Sequence, residues 1–117
     1  EDLSDWLTEG SEHIGKKVRR YVFDARGQKI DAVHGSITMW LPTEIADYLS
    51  EETGEPAPLW KVAYDDEGFG TEDLEEYEVK EAAALLEEEL TDKIKERIAK
   101  RQAKAAEAKR RQEERER

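Results

Sequence analysis

Residues 59–79 read LWKVAYDDEGFGTEDLEEYEV, and the order of signals in this stretch decides the fold. LWKVAY is short and rich in β-branched and aromatic residues, and it follows Pro58, so residues 59–64 are expected to form a strand. The next six residues, Asp65-Asp66-Glu67-Gly68-Phe69-Gly70, make a hairpin turn in which Gly68 and Gly70 are free to take positive φ. Residues 71–74 return as a further short strand, and residues 77–79 add another.

Upstream, residues 13–27 (HIGKKVRRYVFDARG) alternate in the period-2 manner of a half-buried strand, Val18, Arg20 and Val22 against Arg19, Tyr21 and Phe23. Gly27 supplies a turn, and residues 33–41 (VHGSITMWL) form the next strand, ended by Pro42. Thr43 then has the character of a helix N-cap, with Ile45, Tyr48 and Leu49 on one face of a short helix stopping near Thr53 and Gly54. Pro56 and Pro58 hold the connector to the following strand extended. About five short antiparallel strands with one inserted helix describe a small β-barrel.

The aromatic residues bound its core. Eight of nine lie between Tyr21 and Tyr77, which places the folded barrel within residues 13–80. Outside it, residues 1–12 carry Leu3, Trp6 and Leu7 at helical spacing. Two readings stand for them: a short helix packed on the barrel, or an anchor whose Trp6 enters a partner's groove.

From about Val79 the period becomes helical. Val79, Ala83, Leu86, Leu90, Ile94 and Ile98 form one stripe, and beyond Ile98 the only apolar residues are alanines. Residues 81–117 are expected as one long charged helix, helped by Glu89–Lys93 and Glu113–Arg117 pairs. The stripe is too short for a sustained coiled coil. It is expected to pack as far as Ile98 against the barrel or a partner, with the remainder fraying in isolation.

Net charge is −11, unevenly placed: residues 1–92 hold 8 Lys and Arg against 25 Asp and Glu, whereas residues 93–117 hold 11 against 5. An acidic barrel favours basic ligands and repels a phosphate backbone, so nucleic acid is not expected on the barrel, although the basic tail is compatible with it. Docking of the tail on an acidic surface would run through Lys100, Arg101, Lys104, Arg110 and Arg111.

Several chemistries lack a motif. The chain has no Cys, and His13 and His34, 21 positions apart, have no metal-ligand spacing and read as structural. The acidic hairpin does not follow the calcium-loop pattern. No nucleophile–base pair or phosphate-binding glycine loop is present, so neither catalysis nor a cofactor or metal is expected. No apolar run approaches the ~20 residues of a membrane span. A start at Glu1 reads as a processed or trimmed terminus, with any targeting segment lost.

The spaced elements Gly15-Lys16-Lys17-Val18, Gly35-Ser36-Ile37, Trp60-Lys61-Val62-Ala63-Tyr64-Asp65-Asp66, and Glu72-Asp73-Leu74 followed by Glu78-Val79 resemble the Tudor-like domain of plant and protist chromatin proteins. The resemblance covers about residues 13–80. It implies a five-stranded SH3-like barrel binding protein tails, in some members through an aromatic cage for methylated Lys or Arg, and an intracellular, nuclear setting. An organellar one remains open if a leader was removed. Cage candidates are Trp40, Trp60, Tyr64 and Phe69, with Asp66 or Asp73 at the rim. The same aromatics also suit a barrel core, and both the six-residue hairpin and the insert at 43–58 depart from the family pattern. Two functions follow: an adaptor whose barrel takes a basic peptide, methylated or unmodified, while the helix tethers it, or a structural accessory subunit of a large assembly, without peptide-reader activity.

Overall fold

The computed structural model describes residues 2–116 and contains an antiparallel sheet of four strands in sequential order, followed by one long helix. The strands are β1 (Lys17–Phe23), β2 (Lys29–Leu41), β3 (Leu59–Tyr64) and β4 (Thr71–Leu74). A short helix α1 (Thr43–Ala46) lies between β2 and β3, and α2 spans Glu76–Glu116. The chain divides into two compact units that part between Leu86 and Glu87.

Register explains which face is buried. Gly35 pairs with Val18 and Tyr64, Ile37 with Val62, Trp40 with Trp60, and Leu74 with Trp60, so these residues share one face of the sheet. Val18, Ile37, Trp60, Val62 and Leu74 form the core there, closed by Val79 and Ala82 from the first turns of α2. Gly35 is required at the crossing of strands: a Cβ there would sit 2.7 Å from the Ala63 carbonyl oxygen and 2.9 Å from a Val62 methyl. A bulge between Ile37 and Met39 keeps Trp40 on the core face despite the odd spacing.

The expected closed, five-stranded barrel does not form. The sheet is open, with four strands, because residues 77–79 belong to α2. Glu75 and Glu78 start that helix: the Glu75 N–H donates to the Glu78 carboxylate at 3.0 Å, and the Val79 N–H donates to the Glu75 carbonyl at 3.1 Å. Val79 and Ala82, three apart on one helical face, are then both buried, whereas a strand would point them to opposite faces.

The terminal stretch also departs from expectation. Residues 2–12 form turns rather than a helix. Leu7 exchanges two 2.9 Å backbone hydrogen bonds with Trp40, occupying the edge of β2 that β1 leaves bare after Ser36. Gly10 sits at φ +93°, with the Trp40 ring 3.6 Å from where a Cβ would stand. The inserted helix is shorter than expected. Thr43 is its first residue rather than its cap, Pro42 caps it without a side-chain bond, and Asp47 ends it in the left-handed region. Residues 48–57 instead fold back on themselves, with Ser50 N–H bonded to Glu55 and Ala57 N–H to Tyr48.

Helix α2 carries the apolar stripe, and the chain covers it only in part. Val79 and Ala82 are buried and Leu86 half-buried, but Leu90, Ile94 and Ile98 are exposed, so intrachain packing ends earlier than Ile98. Helical pairs run from Glu89 to Lys93 at 3.7 Å and from Glu107 to Arg111 at 2.8 Å. The expected Glu113–Arg117 pair lies outside the described residues.

Candidate functional site

The six cage candidates do not converge on one site: Trp40 and Trp60 stack together, Tyr64 and Phe69 share a separate groove, and Asp66 and Asp73 are engaged elsewhere. Trp60 is 4% exposed and stacks on Trp40 with ring centroids 6.0 Å apart and planes 16° apart. The Trp60 Nε1–H donates to the Ser11 hydroxyl at 3.0 Å, and the Trp40 Nε1–H to the Glu9 carbonyl at 2.8 Å, so the N-terminal strap holds both indoles. His13 packs its edge on Trp60 at 5.3 Å and is itself buried. The Lys16 ammonium, a donor only, bonds its Nδ1 at 2.8 Å, which leaves Nε2–H to face the Glu76 carboxylate at 3.0 Å. This histidine is satisfied and structural.

Tyr64 shares the core face of β3 but lies four residues from Trp60, about 13 Å along the strand, with Val62 between them. Its hydroxyl donates to Glu72, which also accepts from the Arg20 Nε at 3.1 Å. Burial, followed by the Glu72 hydrogen bond and charge, pushes the Tyr64 phenol far up, against the opposing pull of Arg20. Phe69 and Tyr64 line an open groove of ≈ 400 Å³ with Phe23, Thr71, Arg20 and Glu72. The carboxylate on its wall, Glu72, is already engaged by Tyr64 and Arg20.

The two acidic candidates are engaged within the chain. Asp66 caps the turn at residues 67–69 by accepting from the Gly68 N–H at 2.9 Å. Asp73 pairs with the buried Lys61 ammonium at 2.6 Å, and the Trp6 ring lies under that ammonium at 4.4 Å. Trp6 is thus half-buried in its own chain. On α2, Lys100, Arg101, Lys104, Arg110 and Arg111 are all exposed.

A second groove, which the sequence motifs did not single out, combines acidity with an aromatic ring, Tyr77. It has a volume of ≈ 280 Å³ and is lined by Ser50, Glu52, Thr53, Pro58, Glu76 and Tyr77, among others, with the buried Glu75 in its wall. Glu78 foremost, then partial burial and the charges of Glu75, Glu52 and Glu51, raise the Tyr77 phenol. Tyr48 is likewise raised, by partial burial first and then by its bond to Glu75 and the charges of Glu75, Glu51 and Glu78. Glu51, Glu75 and Glu78 are thus near enough to both phenols to raise them. The available signal was compositional: Glu51, Glu52, Glu55, Glu75, Glu76 and Glu78 flank Tyr48 and Tyr77, but only the fold brings the two runs together.

Glu75 holds the groove's two segments in place. Its carboxylate accepts from the Tyr48 hydroxyl and the Glu51 N–H, each at 3.2 Å. The Ser50 hydroxyl is the largest influence, and these bonds together outweigh the effect of burial and lower the Glu75 pKa. A carboxyl lowered by folding stabilises the fold fully above its unfolded value and loses that contribution as pH falls through its folded value. Glu75→Gln is therefore expected to lower the melting temperature at neutral pH, and the gap from wild type should close as pH drops below the ordinary glutamate value of 4.5. Melts of both proteins across the acid range check this. A gap that persists unchanged at low pH would assign the loss to shape rather than charge.

Among the described residues, no group of three or more His, Cys, Asp or Glu side chains is arranged to hold a metal ion, and no helix is long and apolar enough to cross a membrane. Comparisons with protein-family models, curated proteins and solved structures found no match to this chain.

Proposed function

We propose that this chain is a non-enzymatic protein-interaction module whose acidic sheet unit docks a basic segment of another protein in the acidic groove beside Tyr77. The observation that carries the reading is geometric: Glu52, Glu75 and Glu76 line that groove together with the Tyr77 ring. Residues 1–86 add a long-range contribution of the same sign, with 8 Lys and Arg against 21 Asp and Glu. A Lys or Arg side chain entering the groove gains carboxylates for its charge and the Tyr77 ring for its stem.

The burial of Trp60 and its stacking on Trp40 favour plain charge-directed docking over a methyl-lysine cage, since a cage needs ring faces open to the ligand. Calorimetry with a Lys/Arg-rich peptide tests the reading. Binding should weaken steeply with salt, fall roughly tenfold or more in Glu52→Lys/Glu76→Lys, and be equal for trimethylated and unmodified peptides. Preference for the trimethylated peptide, lost in Trp40→Ala, would restore the cage. Salt-insensitive binding, or none, would remove the charge-directed reading.

A further inference from the structure

Helix α2 leaves Leu90, Ile94 and Ile98 at 49%, 55% and 49% exposure, in steps of four along one face. A helix without a covered face owes little stability to packing, so a stripe of this kind calls for an occupant. The charges along α2 identify one. Residues 76–92 hold 1 Lys against 7 Asp and Glu, whereas residues 93–116 hold 10 Lys and Arg against 5 Glu. The acidic and basic halves meet next to the apolar stripe.

We propose that two copies of this chain associate by a short antiparallel crossing of α2, with Leu90 of each copy against Ile94 of the other. The register follows from the stripe: Leu90 opposite Ile94 also sets Leu86 opposite Ile98, so all four apolar positions find partners in both copies. Charge fixes the direction. Because Val79 and Ala82 are covered by the sheet, the pairing is confined to the helix beyond them: a parallel pair lays acid on acid there, while the antiparallel crossing lays residues 87–92 of each helix, with 4 Asp and Glu and no Lys or Arg, along residues 92–97 of the other, with 3 Lys and Arg against 2 Asp and Glu. At the crossing, Glu87 and Glu89 come level with the second copy's Arg97 and Lys95. The apolar contact is only about two helical turns either side of the centre, so the pair is a crossing with modest affinity that depends on charge, not a sustained coiled coil. The inference is independent of peptide docking at Tyr77, since no residue of that groove lies on the stripe.

Sedimentation and electron–electron distance measurement on the full chain test it together. The chain has no native Cys, so a nitroxide at Lys104→Cys reports on α2 alone. In the antiparallel register Lys104 lies level with the second copy's residue 80, about 24 residues from its Lys104, and the two labels should be about 36 Å apart. The labelled protein should sediment as a dimer at submillimolar concentration. It should dissociate at about 1 M salt, where the screening length falls to about 3 Å. Leu90→Ala/Ile94→Ala should weaken the dimer by roughly tenfold or more. The sheet unit's melt should be unchanged in that variant, because neither residue contributes to its core. Glu52→Lys, which alters the groove, should leave dimerisation intact. A monomer at every concentration, labels within about 15 Å as helices packed in parallel require, or a dimer indifferent to the double substitution would each overturn the proposal.

Discussion

Val62→Asp is expected to unfold the sheet unit. Val62 is fully buried, paired across β2 with Ile37 and across β4 with Glu72, and packed in the cluster closed by Val79 and Ala82. A carboxylate there has no basic side chain in the cluster to pair with, and burying an unpaired charge costs more than the 5–15 kcal/mol of a typical domain unless the group takes up a proton or the structure opens. Near-ultraviolet circular dichroism should lose its tryptophan signal at neutral pH. Val62→Ala should keep that signal and melt at a lower temperature. A Val62→Asp protein with an unaltered melt would mean that β3 does not present this residue to the core.

Trp60→Ala should cost about 3–5 kcal/mol, the usual penalty for removing a buried aromatic. The loss combines the stack on Trp40, the edge contact from His13 and the bond to Ser11. Trp60→Phe retains much of the packing and loses the Ser11 bond, so it should lie between wild type and the alanine variant in a denaturant titration. If Trp60 instead walled an open box, truncation would hardly move the unfolding midpoint while changing ligand binding. These two quantities separate a core residue from a ligand wall.

Much of the sheet was legible because its strands carry local signals. Residues 59–64 and 71–74 lie where the β-branched and aromatic run after Pro58 and the glycine turn put them, since the composition of LWKVAY and the turn at Gly70, φ +64°, need no tertiary information. Closure into a barrel was not legible. Whether Tyr77 and Val79 extend a sheet or begin a helix depends on the Glu75–Glu78 bond and on the burial of Ala82, a choice made by packing. The spacing of Leu3, Trp6 and Leu7 suggested a helix for the same reason it misled: the bare edge of β2 beside Trp40 offers Leu7 backbone partners that a local pattern cannot reveal.

The candidate site divides in the same manner. Trp60 and Tyr64, both cage candidates, lie on one face of β3, yet a shared face does not make a shared cavity, and Val62 separates them. The groove at Tyr77 joins residues near 50 to residues near 76, which are adjacent only because 48–57 folds back and Glu75 ties the two together. Its acidity was written in the composition; its location was not.

The most direct measurement of the central claim is a residue-resolved NMR titration of the protein with a Lys/Arg-rich peptide at low salt. Amide shifts are expected to concentrate at residues 50–53 and 75–78, around the glutamates that line the groove, and to vanish in Glu52→Lys/Glu76→Lys. Shifts centred instead on the Trp40 and Trp60 indoles, or no shifts at saturating peptide, would contradict the account of this chain as a charge-directed docking module.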